Sequence, residues 1–261
     1  MKKLQLLFRY IKYLLIAKSK HTAQAPFLYE LITEVIEKRT DNNACKNIES
    51  LRKELCKQEK TINITDFGAG STINKSKIRK VKDVANNSAK NAKFGKLIYR
   101  IIQFYKPKNI IELGTSLGIS TSYLAKADSN SKVFTFEGCP ETAKIAQENF
   151  EKQNIRNTSI TLGDFNLTLN EKLKEIKTID LVFIDGNHQE KPTIDYFLKC
   201  LKYANNDTIF IFDDIHWSDG MENAWKYIKT HSRTTLTIDL FFVGLVFIKS
   251  ELSKEDFTIR F

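Results

Sequence analysis

Three acidic residues lie where two apolar runs of the sequence end. Asp185 follows the run Ile179–Ile184, and Asp213 and Asp214 follow the run Thr208–Phe212. If the two runs are neighbouring parallel strands, their carboxyl ends share one edge of a sheet, and we expect the acids to converge there. Carboxylate oxygens are the ligands that Mg²⁺ and Ca²⁺ prefer, so the three acids form a candidate site for a divalent metal ion.

A metal ion at these acids could hold two vicinal substrate hydroxyls and lower the pKa of one of them. His188, three residues beyond Asp185, is our first candidate for a general base, because imidazole titrates near neutral pH. His216 is the second. The alternative is that the acids cap helices or pair with basic residues and that His188 is a surface histidine. Asp185 could then still contact a cofactor or substrate.

A second set of polar residues follows the preceding apolar runs. Glu112 ends the run Asn109–Leu113 and enters a glycine-containing loop before a helical pattern, but the third glycine of a GxGxxG loop is absent. A carboxylate there repels phosphate and attracts a cationic amino-acid group. Glu137 ends the next run and can accept both hydroxyls of a ribose, and Asp164 can accept from an adenine amino group.

The predicted cofactor contacts are Glu112, Gly114, Ser116, Gly118, Ser120, Glu137, Asp164 and Asp185. The alternative is that these residues have structural roles only. The loop after Glu112 would then be an ordinary strand–turn–helix junction, and Glu137 would be an acid that stabilises the N-terminus of a helix.

Apolar runs alternate with helical patterns from residue 108 onward, which predicts a doubly wound parallel sheet covered by helices. The predicted strands are Asn109–Leu113, Lys132–Phe136, Ile160–Leu162, Ile179–Ile184 and Thr208–Phe212, and the predicted helices are Ser120–Ala127, Glu141–Gln153, Lys191–Ala204 and Gly220–Thr230. Two further runs, Thr235–Leu240 and Val243–Lys249, leave no room for a helix between them. We expect them to pair antiparallel at the end of the sheet.

The first 90 residues are predicted to form a helical cap and a lid loop, and residues 91–261 the main domain. Apolar residues from Leu4 to Leu15 have helical spacing, but the run is too short to span a membrane. We expect this helix to pack on the domain or on a second subunit, with a peripheral membrane helix as the alternative. Residues 21–60 are predicted to be helical, residues 57–91 to be a polar loop, and Phe94–Tyr105 to be a helix.

The segment Thr65–Ser71 also contains an acid and two glycines, but no amphipathic helix or second acid-ending strand follows it. We interpret it as a turn in the lid, followed by a basic run that either faces an acidic substrate or is solvated.

The formal net charge is +10, and it is unevenly distributed along the chain. Residues 1–100 hold 22 basic and 9 acidic residues, or +13, whereas the remainder holds 19 and 22, or −3. A basic surface can attract nucleic acid, anionic lipid or a phosphorylated substrate, or it can simply be solvated. The four cysteines form no CxxC pair, which favours a reducing cytoplasm.

The motif order ELGTSLGIS, FEG, LGDF, FIDGNH and FIFDD resembles class I S-adenosylmethionine-dependent methyltransferases over residues 95–250. More narrowly, it is similar to the metal-dependent O-methyltransferases of the catechol and caffeoyl-CoA type and of the antibiotic-sugar type. The resemblance implies a Rossmann-like, seven-stranded sheet, with metal ligands at Asp185, Asp213 and Asp214 and a general base at His188. The catechol-type pattern has an asparagine where this chain has Asp214, whereas the sugar-modifying relatives have an acid there.

We therefore predict an S-adenosylmethionine-dependent methyltransferase that methylates a hydroxylated small molecule, with help from Mg²⁺ or another divalent cation. A nucleic-acid methyltransferase is an alternative because of the basic N-terminal segment, although Asp-Gly-Asn-His stands in place of a [DN]PP[YF] motif. Another alternative is a protein that binds the cofactor without catalysing a reaction. A homo-oligomer is also compatible with the sequence, as is a cytoplasmic protein that contacts a membrane peripherally.

Overall fold

The computed structural model describes residues 2–19, 26–65, 77–88 and 91–261. Ten α-helices are found in these ranges: α1 (Lys2–Ile16), α2 (Pro26–Leu31), α3 (Asn43–Leu55), α4 (Val81–Ser88), α5 (Ala92–Tyr105), α6 (Ile119–Ala127), α7 (Pro140–Lys152), α8 (Phe165–Ile176), α9 (Glu190–Leu201) and α10 (Asp219–Thr230). A π-helix, Ile32–Ile36, continues α2. The strands are β1 (Thr61–Asn63), β2 (Ile78–Lys80), β3 (Asn109–Leu113), β4 (Lys132–Glu137), β5 (Thr158–Leu162), β6 (Ile179–Ile184), β7 (Ala204–Asp213), β8 (Leu236–Asp239), β9 (Val243–Phe247) and β10 (Glu255–Thr258).

The chain divides into two compact units, of which one comprises residues 38–175. In this unit β4 pairs in parallel with β3 on one side and with β5 on the other. Apolar side chains of α3, α4, α5 and α6 pack together in a buried cluster. The strands β3 and β4 form because β-branched and aromatic residues dominate them, and four of the five β3 residues are buried. This packing fixes the loops that follow β3 and β4.

The other unit comprises residues 1–37 and 176–261. Here β6 pairs in parallel with β7, which pairs antiparallel with β9, and β9 in turn pairs antiparallel with β8. The last strand, β10, pairs in parallel with β8. The antiparallel β8–β9 pair confirms the prediction for the end of the sheet. The boundary predicted after residue 90 coincides with no limit of either unit and stays a prediction.

The fold class is confirmed as α/β with mostly parallel strands. The strands of the two units, β3–β5 and β6–β10, number eight where seven were predicted. The additional strand is β10, which has no clear apolar pattern in the sequence because three of its four residues are polar and none is buried. The helix α8 was also missed, since only Leu169 and Leu173 of its twelve residues are buried. With so short an apolar stripe, the helical period is weak in the sequence.

The N-terminal predictions were partly wrong. The predicted helix over residues 21–60 is interrupted between the π-helix and α3, where Asn42 accepts a hydrogen bond from the Cys45 N–H and caps α3. The predicted polar loop over residues 57–91 contains the antiparallel β1–β2 pair and α4. Most of the glycine-containing segment Thr65–Ser71 lies outside the described residues. The basic run that follows it is described from Lys77 onward, and Lys80 and Lys82 pair there with Glu59.

The helix α1 forms as predicted, but its apolar face does not pack on the domain, which was one of the two surfaces expected to cover it. Packing on a second subunit stays a prediction. The residues that pack inward are Arg9, Tyr10 and Tyr13, and the Tyr13 side chain is buried against Phe241. The apolar residues Leu4 and Phe8 are exposed instead. Among the described residues, none of the helices is both long and apolar enough to cross a bilayer.

Gly118, at the start of α6, is a position where the fold requires glycine. Its φ is +79°, and an added Cβ would lie 2.6 Å from the Phe150 ring. We expect Gly118→Ala to lower the free energy of unfolding by about 1–3 kcal/mol. Gly220→Ala is the matched control, because its nearest neighbours would be at 3.5 Å and its φ is ordinary. Urea unfolding that finds the two variants equally stable would contradict this account.

Candidate functional site

The loop after β3 folds back on the protein through its own backbone N–H groups. Gly114 and Thr115 both donate to the Phe136 carbonyl oxygen at 3.0 Å, and the Gly118 N–H donates to the Thr115 carbonyl. The Ser116 N–H donates to Glu137. These four donors are therefore used within the protein, and they hold the loop in place beside the end of β4.

Glu137 connects this loop to the end of β4. Its Oε2 accepts from the Ser116 N–H at 2.6 Å, and its Oε1 accepts from the Cys139 N–H at 2.9 Å. Ser116 has a φ of +48°, so the loop adopts the left-handed conformation at a non-glycine residue. Burial raises the pKa of Glu137, although the backbone donors offset part of that effect. A carboxylate oxygen can accept more than one hydrogen bond, so Glu137 retains capacity for ligand hydroxyls.

Glu112 is fully buried at the end of β3. Its Oε2 accepts from the Thr121 hydroxyl at 2.5 Å and from the Thr135 hydroxyl at 2.7 Å. The other oxygen, Oε1, has no partner of normal hydrogen-bond geometry among the described residues. Burial raises the pKa of Glu112 to about 7, and the neighbouring hydroxyl groups lower it only in part. A cationic ligand group beside this carboxyl would favour its charged form.

The sequence analysis missed Thr121 and Thr135 as part of this site. Both hydroxyls converge on Glu112, and Thr135 also lies 2.6 Å from the Thr115 hydroxyl. The only signal in the sequence was the occurrence of Thr135 at a buried strand position, where an apolar residue is more usual. Ser120 is buried in the first turn of α6, and its predicted contact with the cofactor stays a prediction.

Asp164 lies immediately after β5 and caps the following helix. Its Oδ1 accepts from the backbone and the side-chain amide of Asn166, at 2.8 and 3.0 Å. The preceding Gly163 N–H donates to the Glu137 carbonyl at 2.9 Å. Phe165 makes an edge contact with Phe136, with ring centroids 6.3 Å apart. The Asp164 side chain thus has a local structural role as a cap, and its predicted contact with adenine stays a prediction.

In the other unit, the structure brings Asp185, His188 and Asp213 together. One ligand atom of each lies within 4.8 Å of the others, and the His188 Nε2 atom is 3.7 Å from the Asp185 Oδ1 atom. Asp185 follows β6, and Asp213 ends the adjacent β7. Asn187, with a φ of +53°, reverses the chain so that His188 returns toward Asp185. Two carboxylates and an imidazole at these separations are compatible with one divalent ion.

This cluster differs from the predicted set of three carboxylates. Among the described residues, the cluster does not include Asp214, and its third member is His188. Asp214 adopts a φ of +53° and its N–H donates to the Phe242 carbonyl at 2.6 Å, so the chain leaves the strand direction after Asp213. Metal binding by Asp214 stays a prediction.

His216, the second candidate base, has both ring nitrogens occupied. Nδ1 lies 2.9 Å from Glu222 and Nε2 lies 2.7 Å from Asp239. Burial alone would lower the pKa of His216, but the hydrogen bonds and charges of Asp239 and Glu222 raise it overall. The ring also stacks on Phe241. This arrangement favours a structural role for His216 and leaves His188 as the candidate base.

The buried Glu112 predicts a measurable dependence of stability on pH. Because its pKa in the folded protein lies above the ordinary value of 4.5, folded protein retains a proton that unfolded chains lose between about pH 4.5 and 7. The free energy of unfolding should therefore fall as pH rises through this window, by roughly 2–3 kcal/mol more than in Glu112→Gln. Urea titrations of both proteins at a series of pH values test this, and parallel pH profiles would be the contrary result.

Residues 111–215 match the family model of a methyltransferase domain. Among curated proteins, the chain is similar to a catechol O-methyltransferase of Niastella koreensis, with 30% identity over 124 residues. That match covers 46% of this chain and 55% of the relative, so the chain spans about half the length of the relative it matches.

Solved structures with the same fold include an O-methyltransferase of Bacillus cereus in complex with SAH, at a TM-score of 0.56 and 18% identity. The match covers 85% of this chain and 97% of that one. The O-methyltransferase TomG of Streptomyces achromogenes, in complex with SAM, matches at a TM-score of 0.57 and 17% identity, covering 85% and 95% of the two chains. The match over residues 111–215 and the shared fold agree with the resemblance to S-adenosylmethionine-dependent methyltransferases that the motifs indicate.

Proposed function

We propose that this protein transfers a methyl group from S-adenosylmethionine to a hydroxyl oxygen of a small, sugar-like or catechol-like acceptor. The observation that carries the oxygen specificity is the cluster of Asp185, His188 and Asp213, which combines metal-ligating oxygens with a base. The methyltransferase domain and the similarity to a catechol O-methyltransferase support the proposal.

Residues of the unit 38–175 have the chemistry to bind the cofactor. Glu137 would accept hydrogen bonds from the ribose hydroxyls, and Glu112 would place negative charge near the ammonium of the methionine part. The buried Oε1 atom of Glu112 fits a cationic group. When bound, S-adenosylmethionine supplies an electrophilic sulfonium methyl group, and its transfer depends chiefly on alignment.

Residues of the other unit have the chemistry to bind and activate the acceptor. Asp185 and Asp213 would hold a divalent cation, whose charge would lower the pKa of a coordinated acceptor hydroxyl. Carboxylate oxygens, completed by water and acceptor oxygens, suit Mg²⁺ or Mn²⁺ without a nitrogen ligand, which leaves His188 available as a base. Trp217 is 43% exposed three residues after Asp214 and offers an aromatic surface for a ring-shaped acceptor.

His188 is proposed as the general base. Its imidazole is partly exposed, with 26% of the side chain accessible, so it can both meet an acceptor and release a proton to water. The nearby Asp185 carboxylate would orient the ring and stabilise the imidazolium that forms when the acceptor hydroxyl loses its proton. The base and the two carboxylates would thus act on the same hydroxyl group.

The cofactor assignment is tested by calorimetry with S-adenosylmethionine. We expect Glu137→Ala to weaken binding about 100-fold, since two charge-assisted hydrogen bonds would be lost. Glu148→Ala is the control, because Glu148 is an exposed residue of α7. The assignment fails if the wild-type protein does not bind the cofactor, or if the two variants bind it equally well.

The roles of His188 and Asp213 are separated by measuring Mn²⁺ binding and methyl transfer together. Asp213→Asn should lose Mn²⁺ affinity at least about tenfold because a charged ligand is removed. His188→Gln should retain Mn²⁺ affinity and lose about 10²- to 10⁴-fold in kcat. Electron paramagnetic resonance and transfer from labelled S-adenosylmethionine to catechols and sugars provide the two readouts. Equal loss of Mn²⁺ affinity in both variants would instead identify His188 as a metal ligand.

A further inference from the structure

The helix α1 presents a continuous apolar stripe to the solvent. Its large apolar side chains recur every three or four residues, and each is about half exposed or more: Leu4 71%, Leu7 53%, Phe8 72%, Ile11 48% and Leu15 81%. Single exposed apolar residues are normal on a protein surface, but five on one helix face form a patch of the kind that marks an interaction site.

This outward orientation is held by specific contacts on the opposite face of α1. Arg9 pairs with Asp219 and, at 3.0 Å, with Glu222, and it donates to the His216 carbonyl at 3.1 Å. Tyr13 is 3% exposed, and its hydroxyl donates to the Ile259 carbonyl at 2.6 Å. The polar and aromatic face is therefore the one that anchors the helix. Burying the apolar stripe in the same unit would break these contacts.

The charge of this segment is entirely positive. Residues 1–29 contain six lysines and arginines and no acidic residue. Lys12 and Lys18 are exposed, while Arg9 is neutralised by its acidic partners. A basic amphipathic helix with leucine and phenylalanine on its apolar face is typical of helices that lie in the interface of a bilayer. The single-sign charge indicates which surface would attract it, namely one rich in anionic headgroups.

We infer that α1 is a docking helix that places this protein on an anionic lipid bilayer, with the apolar stripe inserted among the acyl chains near the headgroups. A second copy of the chain is the less favourable occupant, because two such helices would bring lysines together without an acidic partner. Five large side chains also fall short of the roughly 20–30 residues per side that a stable dimer uses. This inference does not depend on methyl transfer.

The test is sedimentation of the full chain with phosphatidylcholine vesicles, with or without an equimolar amount of phosphatidylglycerol. We expect the protein to sediment with the phosphatidylglycerol vesicles, to bind the pure phosphatidylcholine vesicles at least about tenfold more weakly, and to be released by salt. Absence of sedimentation with both vesicles would overturn the inference.

Two pairs of variants test the apolar stripe and the positive charge of α1 separately. Phe8→Gln with Leu15→Gln should weaken vesicle binding at least about tenfold, whereas Leu167→Gln, which changes an equally exposed leucine on α8, should not. Lys12→Glu should weaken binding to phosphatidylglycerol vesicles about tenfold, and Lys144→Glu, on α7, should not. Because these side chains are exposed, the variants should keep the wild-type circular dichroism spectrum and Tm.

Sedimentation velocity in the absence of lipid tests whether a second copy of the chain, and not a bilayer, covers the apolar stripe of α1. We expect a monomer whose sedimentation coefficient is unchanged by Phe8→Gln with Leu15→Gln. A wild-type dimer that dissociates in this variant, together with no vesicle binding, would show that a second copy covers α1 and would overturn the inference. Loss of S-adenosylmethionine binding with retained vesicle binding would contradict only the proposed function.

Discussion

The Glu137 carboxylate is the interaction on which the proposed cofactor site in the unit 38–175 depends. One of its oxygens holds the Ser116 N–H of the loop after β3, and the other holds the Cys139 N–H after β4. Both loops follow the carboxyl ends of parallel strands, so the pairing of β3 with β4 brings them to the same edge. The same carboxylate is the group proposed to accept the ribose hydroxyls. Its partners in the protein therefore preorganise it for that role before any ligand binds.

In the other unit, the proposed acceptor site is likewise formed at the carboxyl ends of adjacent parallel strands. β6 and β7 are parallel and adjacent, and they deliver Asp185 and Asp213 to one edge. The chain beyond Asp213 is restrained by backbone bonding of Asp214 to Phe242 and by His216, which bridges Glu222 and Asp239. Arg9 joins this network through Glu222 and the His216 carbonyl. The N-terminal helix is thus attached to the segment that follows the proposed metal ligands.

The sequence was most informative where burial and periodicity agree. The runs that became β3, β6 and β9 are apolar because they are buried on both faces, and the acids at the ends of β3 and β6 stood out against that pattern. It was least informative for contacts between residues far apart in the chain. The inward orientation of Arg9 depends on Asp219 and Glu222, more than 200 residues away. His188 lies beside the carboxylates because Asn187 adopts the left-handed backbone conformation. Asparagine permits that conformation but does not require it.

The central claim is that the acids at the two sheet edges bind an adenosyl cofactor and a metal ion. It is tested most directly by a crystal structure of the protein with S-adenosylhomocysteine and Mn²⁺, using the anomalous scattering of manganese. The account predicts ribose hydroxyls within hydrogen-bond distance of Glu137 and an anomalous peak within coordination distance of Asp185 and Asp213. A cofactor bound away from Glu137, or a fully occupied cofactor without manganese at these aspartates, would contradict it.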